Sequence, residues 1–272
     1  MGYLTTEKKK VTVKTFVEMK RDGNKIAMLT AYDYTTARLI DEAGVDSILV
    51  GDSASNVTLG NDSTLPITLD EMIVYARGVA RGCQRALVVC DMPFGTYQVS
   101  PEEGVRNAVR LIRETGVDAV KLEGGEEVAP TIERIVNAGI PVVGHLGLTP
   151  QSIHKFGGYG VRARSEVEAT KLIADAQALE KAGCFTVVLE KIPASVAQQV
   201  TDLLSVPTIG IGAGSHCDGQ VLVYADAMGL TQGFEPKFLR EFAAMGEELR
   251  RGVRAYCEAV KGDEFPNESE SY

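Results

Sequence analysis

The chain has 272 residues, 44% hydrophobic and 24% charged, a composition that suits a globular protein with a large core and not a disordered segment. Its 28 basic residues against 37 acidic leave a net charge of −9, which repels a polyphosphate backbone and sets nucleic acid aside as a partner. Apolar runs such as Ala86–Cys90 fall far short of the roughly 20 residues that a membrane span requires, so no membrane association is expected.

The first ten residues are polar and basic, with no secretory signal, and a cytoplasmic protein is expected. Met1-Gly2-Tyr3-Leu4-Thr5-Thr6 fits the loose myristoylation pattern without a second membrane signal beside it, and Lys8-Lys9-Lys10 reads as a solvated terminal run. A strand is expected at 26–32. A pattern then recurs: a helix closed by glycine, a short apolar strand, and a polar residue. It runs Gly44–Asp52, Gly116–Glu123, Gly139–His145 and Gly183–Glu190. Strands at 86–91, 207–211 and 221–224 complete a set of eight, and their continuous apolar runs predict burial on both faces, as in parallel sheets.

Between them, Thr68-x-x-Glu71, Ser100-Pro101-x-Glu103 and Ser165-x-x-Glu168 are capping boxes that start helices. After Ser165, the residues Val167, Leu172, Ile173, Ala176 and Leu179 keep helical spacing on one face. Residues 146–164 form a long glycine-rich loop, expected to act as a lid or a subunit contact. The run Gly210-Ile211-Gly212-Ala213-Gly214 is either a tight turn or a backbone anion site. Five cysteines (83, 90, 184, 217, 257), odd in number and without a C-x-x-C pair, argue against a disulfide framework and for a reducing compartment. Strand and helix alternating throughout, with no linker, predict a single-domain α/β protein, a (β/α)8 TIM barrel over 26–262. Residues 1–25 are expected to pack on it and 263–272 to form a polar, frayed tail; an open doubly wound sheet is the alternative.

Six ionisable side chains fall at or just past strand C-termini: Asp52, Asp91, Lys121, Glu123, His145 and Glu190. In a parallel barrel those ends share the face where active sites are built. Each alone has a plainer reading: an Asp there often caps the next helix, and a lone buried histidine is more often structural. Together, four carboxylates at one mouth repel unless something positive lies between them. Lys121 supplies one charge, and a divalent cation with oxygen ligands, magnesium or manganese, is the natural remainder. The intervals from glycine to polar residue, 8, 7, 6 and 7, predict a similar depth for Asp52, Glu123, His145 and Glu190.

These residues lie within a series of motifs that resembles the 3-methyl-2-oxobutanoate (ketopantoate) hydroxymethyltransferase family. The series is Thr30-Ala31-Tyr32-Asp33-Tyr34, Val50-Gly51-Asp52-Ser53, Asp62-Ser63-Thr64-Leu65-Pro66, Asp91-Met92-Pro93-Phe94 and Val120-Lys121-Leu122-Glu123-Gly124-Gly125. It continues through Gly144–Ser152, Leu189-Glu190, Ile209–Gly214 and Asp218-Gly219-Gln220, covering about residues 11–265 in order. The resemblance implies a Mg2+-dependent barrel enzyme with 5,10-methylenetetrahydrofolate as one-carbon donor, making 2-dehydropantoate for pantothenate and coenzyme A through a Mg2+-stabilised enolate. It implies Asp52 and Asp91 as metal ligands with Glu123 completing the site, Ser53, Lys121, Asp52 and Asp91 at the substrate, and Glu190 as general base. His145 is implied to lie near the substrate. A homo-oligomer, a decamer in bacteria, is also implied.

The sequence departs from the family at Ala54-Ser55-Asn56, where many members carry Leu-Gly-Met, at Lys191 and at Ala225. Lys191 is expected to point away from its neighbour Glu190 by strand alternation. A Mg2+-dependent 2-oxo acid lyase or mutase of the phosphoenolpyruvate mutase type is the competing enzyme reading. A non-enzymatic folate-binding or scaffold barrel gives no reason for ionisable groups at five strand ends.

Overall fold

The computed structural model describes residues 9–272, so the Met1–Thr6 pattern and Lys8 lie outside the described residues. The strands are β1 (Ile26–Thr30), β2 (Ser47–Val50), β3 (Leu87–Asp91), β4 (Ala119–Glu123), β5 (Val142–Gly147), β6 (Thr186–Glu190), β7 (Thr208–Ile211) and β8 (Gly219–Leu222). All are parallel and pair in chain order. β8 closes on β1 through Ile26↔Gly219 and Met28↔Val221, leaving no sheet edge. The chain is therefore the (β/α)8 barrel that its alternating pattern predicts.

Helix α1 (Val13–Arg21) precedes the barrel; α2 (Tyr34–Glu42), α3 (Ala54–Val57), α4 (Leu69–Gly82), α5 (Pro101–Thr115), α6 (Ala129–Asn137), α7 (Ile153–Phe156), α8 (Glu166–Lys181) and α9 (Ala194–Leu203) follow successive strands. Local chemistry sets their ends. Thr68 and Glu71 exchange both capping bonds at the start of α4, while Ser100 and Ser165 each accept the backbone N–H three residues on. Glu168 turns instead to Arg162, 2.6 Å away. Gly116 closes α5 at φ +81°, a state costly for any residue with a Cβ.

Strand alternation fills the barrel. Met28, Leu49, Leu87, Val89, Ala119, Val143, Val188, Ile209 and Val221 form one buried cluster with Val11 and Phe16. Phe16 of α1 is fully buried and meets the Phe185 ring edge-on at 5.8 Å, at the N-terminal end of β6. Burial of such a ring contributes roughly 1.5–3 kcal/mol. Asp91, Lys121, Glu123, His145 and Glu190 stand two or four residues beyond Val89, Ala119, Val143 and Val188 on the same strands. They occupy the inward face one layer above the apolar filling, at the C-terminal mouth.

Three expectations are corrected. No helix joins β7 to β8: residues 212–218 cross back alone, which seven residues can do because a four-residue strand spans only about 13 Å. β8 itself starts earlier than expected and ends at Leu222, so Val223 precedes the next turn of helix. Val167 is 81% exposed, because Asp175, not Val167, shares the buried face of α8 with Leu172, Ala176 and Leu179. Residues Val223–Tyr272 form a second compact unit with α10 (Tyr224–Ala227) and α11 (Met245–Lys261), and the five cysteines are all free. Among the described residues no helix is long and apolar enough to cross a membrane.

Candidate active site

The site begins where β2 ends. A Cβ on Gly51 would stand 2.6 Å from the Ser53 Oγ, so glycine lets the chain turn inward and deliver Asp52 and Ser53 to the mouth. The Ser53 hydroxyl bonds the Tyr32 hydroxyl at 2.8 Å. The Asp52 backbone N–H donates to Asp91 Oδ2 at 2.9 Å, which fixes the two carboxylates side by side. Neither aspartate caps a helix: α3 starts at Ser53 without a side-chain cap, and Ser100 caps α5.

Strand register supplies the rest. Asp91 pairs with Lys121 and Glu123 with His145, while Glu190 faces Gly147, two residues beyond His145. The sequence intervals predict equal depth, and the stagger of the closed barrel moves Glu190 toward the rim instead. Its side chain is 16% exposed, against 2–4% for Glu123, Lys121 and His145, so Glu190 is the carboxylate an incoming molecule reaches. A Cβ on Gly147 would meet the Glu190 carbonyl oxygen, and its φ is +93°, so this glycine admits the end of β6.

Lys121 Nζ lies 3.0 Å from Asp91 Oδ1, 3.8 Å from Glu123 Oε1 and 3.1 Å from His145 Nδ1. His145 bridges two carboxylates, with Nδ1 3.3 Å from Glu123 Oε1 and Nε2 3.3 Å from Glu190 Oε2. Burial and Lys121 push the imidazole down, and the two carboxylates outweigh them, raising it to about 9. Glu123, opposed by its own burial, is held below the usual range mainly by His145 and then by Lys121 and the Gln151 N–H. Asp52 is pushed well up, first by burial and then by Asp91 and Glu123. Asp91 is raised by burial against the pull of Lys121.

Two residues at the centre carry no prediction from sequence. Gln151, in the middle of the 3-10 turn Pro150–Ser152, donates from Nε2 to Asp52 Oδ2 at 2.8 Å and to the Met92 carbonyl at 3.0 Å. Its backbone N–H donates to Glu123 Oε2 at 2.9 Å. The Tyr97 hydroxyl donates to Gln151 Oε1 at 2.7 Å and accepts the Glu123 N–H at 3.0 Å. Gln151 lies in the recognised Gly144–Ser152 motif, but nothing local marks an amide as a carboxylate's partner.

Among the described residues no three His, Cys, Asp or Glu side chains form a ready-made metal cage. Asp52, Asp91 and Glu123 nevertheless fit a hard cation. Buried Asp91 Oδ1 and Glu123 Oε1 make no hydrogen bond, although charged nitrogens lie within 4 Å of each. The three carboxyl groups converge with Lys121 and His145 as their cationic neighbours. Oxygen donors with open positions suit Mg2+, which keeps several places for water and substrate.

Two of the departures make local contacts, and nothing in the structure explains Ala225. Ser55 Oγ donates to the Ser63 carbonyl at 2.7 Å and Asn56 Nδ2 to the Asn61 carbonyl at 2.9 Å, so this triplet ties residues 55–63 together with polar bonds. Lys191 bonds the Tyr159 carbonyl at 2.5 Å, within the long loop. Gly212 and Gly214 have φ of +63° and +83°, and a Cβ on Gly214 would stand 2.5 Å from that of Ala194, so both positions favour glycine.

A closed (β/α)8 barrel whose C-terminal mouth gathers charged, buried, mutually paired side chains is a barrel enzyme. The sequence profile of the family described as ketopantoate hydroxymethyltransferase matches residues 10–268, and the chain belongs to that family. It is a transferase. The 3-methyl-2-oxobutanoate hydroxymethyltransferase of Flavobacterium johnsoniae is 58% identical over 264 residues, covering 97% of each chain. That of Parabacteroides distasonis is 59% identical over 266 residues, covering 98% of this chain and 97% of the relative. Among solved structures, phosphonopyruvate hydrolase in complex with oxalate and Mg2+ is similar at a TM-score of 0.61 and 12% identity, covering 95% of this chain and 92% of that one. A 2,3-dimethylmalate lyase is similar at 0.58 and 17%, covering 96% and 91%. At those identities the likeness is one of fold.

Proposed function

We propose that the protein transfers a hydroxymethyl group from 5,10-methylenetetrahydrofolate to 3-methyl-2-oxobutanoate, giving 2-dehydropantoate for pantothenate and coenzyme A synthesis. The observation that carries the chemistry is Glu190, the accessible carboxylate at the mouth, backed by His145 and adjoining a buried group of Asp52, Asp91, Lys121 and Glu123. Asp52 and Asp91, with Glu123 beside them, would hold a Mg2+ that supplies Lewis-acid polarisation of the keto group when bound. Ser53 and Lys121 receive the polar end of the 2-oxo acid.

Glu190 takes the proton from C3, and the electron pair moves onto the keto oxygen. Lys121 faces the negative charge that develops there, inside a site where burial strengthens the attraction. His145 steadies the Glu190 carboxylate from behind. Water adds to the methylene carbon of the folate and both of its C–N bonds break, so tetrahydrofolate leaves and the carbon is delivered at the formaldehyde level; the nucleophilic C3 adds to it, and the oxygen takes back the proton held by Glu190 to become the hydroxyl. The family match over nearly the whole chain supports this reading over the lyase or mutase one.

The same reading includes a homo-oligomer, a decamer, in the cytoplasm. Within the second unit, Met245, Leu249, Val253, Tyr256 and Val260 recur every three or four residues on α11, and all are exposed. A second copy of this chain is the occupant that such a stripe suits, because like apolar faces can pack on each other in an isologous contact while the flanking charges pair within the helix.

The test is NMR detection of product from 3-methyl-2-oxobutanoate, methylenetetrahydrofolate and Mg2+, with a chelator control. Metal-dependent 2-dehydropantoate supports the reading. Folded protein that forms none, or that cleaves a 2-oxo acid without folate, overturns it.

A further inference from the structure

Lys191 follows Glu190 and adopts φ +45°, a left-handed state that side chains with a Cβ rarely take. Ala163, at φ +55°, is another such residue, and the two flank one hydrogen bond: the Arg162 N–H donates to the Lys191 carbonyl at 2.9 Å. Strain of this kind persists where the surroundings hold it, and here it marks the junction between the end of β6 and the glycine-rich loop.

The loop is clasped at its base. The Arg162 guanidinium lies 4.3 Å over the Phe156 ring and 2.6 Å from Glu168. Between these points, Gly157, Gly158 and Gly160 have no atom within 4 Å of where a Cβ would stand, so close packing does not require glycine there. Gly157 and Gly158 have φ of +70° and +145°, conformations that glycine adopts without strain. Lys191 Nζ reaches across to the tip of this segment and donates to the Tyr159 carbonyl at 2.5 Å. This bond and that of the Arg162 N–H to the Lys191 carbonyl both tie the segment to the residue next to Glu190, at the C-terminal end of β6.

We propose that Lys191 is a positioning residue that latches the segment 157–160 to the end of β6 and so holds that segment beside the barrel mouth when substrate is bound. The proposal rests on the reading of Glu190 as the base only in taking that mouth as the site of reaction. Glu190 itself stays fixed by β6, through the Leu148 N–H to its carbonyl at 2.8 Å. The latch therefore governs retention of substrate and not proton transfer.

The experiment is hydrogen exchange and steady-state kinetics on the full chain with Mg2+, comparing wild type with Lys191→Met, which keeps the length and removes the donor, and Lys191→Arg, which restores one. In Lys191→Met, the Arg162 amide, which donates to the Lys191 carbonyl, should exchange about tenfold faster, the scale of one lost charge-assisted hydrogen bond, with β6 unchanged. KM for 3-methyl-2-oxobutanoate should rise by a similar factor while kcat stays within about twofold, since only ground-state and transition-state binding in common is lost. Lys191→Arg should recover both. Unchanged exchange in Lys191→Met, faster exchange with unaltered KM, a fall in kcat alone, or no recovery with arginine overturns the proposal. Glu190→Gln separates the two readings. It should keep loop protection while losing turnover, and full turnover there with a freed loop in Lys191→Met removes Glu190 as base and leaves the latch standing.

Discussion

His145 stands between two carboxylates, its Nε2 3.3 Å from Glu190 and its Nδ1 3.3 Å from Glu123. One side chain thus joins the accessible acid at the rim to the buried group beneath it, and β5 places it there by pairing with β4 on one side and β6 on the other.

Replacing Glu190 by Gln keeps shape and removes the proton acceptor that the proposed function requires. Turnover, followed by NMR product formation, is expected to fall by roughly 10²–10⁴-fold while binding of the 2-oxo acid persists. Unaltered kcat removes Glu190 from the mechanism.

Gln151→Ala deletes the amide that holds Asp52 Oδ2 and the partner of the Tyr97 hydroxyl. Loss of such supporting contacts typically costs 10–100-fold in metal affinity or activity. Titration of activity with Mg2+ should shift to higher concentration by about that factor, and Asp52→Asn or Asp91→Asn should shift it further.

Asp41 is the stability prediction. Its buried carboxylate accepts the backbone N–H groups of Gln84, Arg85 and Ala86, which lead directly into β3 and so to Asp91. Burial works against ionisation, and these three bonds outweigh it, so the carboxyl is held below its ordinary 3.8. A depressed carboxylate stabilises the fold above the unfolded value and loses that contribution as pH falls through the folded one. Asp41→Ala is expected to cost about 3 kcal/mol at neutral pH, read by urea unfolding. The gap between wild type and Asp41→Asn should narrow as pH falls below 4.

The stripe on α11 gives an assembly prediction. Leu249→Glu with Val253→Glu places charge on the centre of the apolar face, and sedimentation velocity should show a smaller species than wild type. An unchanged sedimentation coefficient shows that this face is not an interface between copies.

Much of this was legible in the chain. Glycine closing a helix, then a short apolar strand, then a polar residue, is a local arrangement, so four of the eight strands and the charged residues at their ends could be read by spacing, and the other four from their apolar runs. The loop without a helix before β8 was not legible, because it depends on how short β7 and β8 are once they are paired. Val167 was misplaced because helical spacing cannot say which neighbouring stripe is covered, and Asp175, which accepts the Glu126 N–H, took the buried position.

By itself the sequence determined the class of fold, the family and the identities of Asp52, Asp91, Lys121, Glu123, His145 and Glu190 as a group. Only the tertiary structure decided their relative depth, the entry of Gln151 and Tyr97, and the reach of Lys191 to Tyr159. Strand periodicity and caps are properties of a few neighbouring residues. The closed barrel's stagger, and hydrogen bonds between residues as distant as Asp52 and Gln151, exist only once the chain has folded.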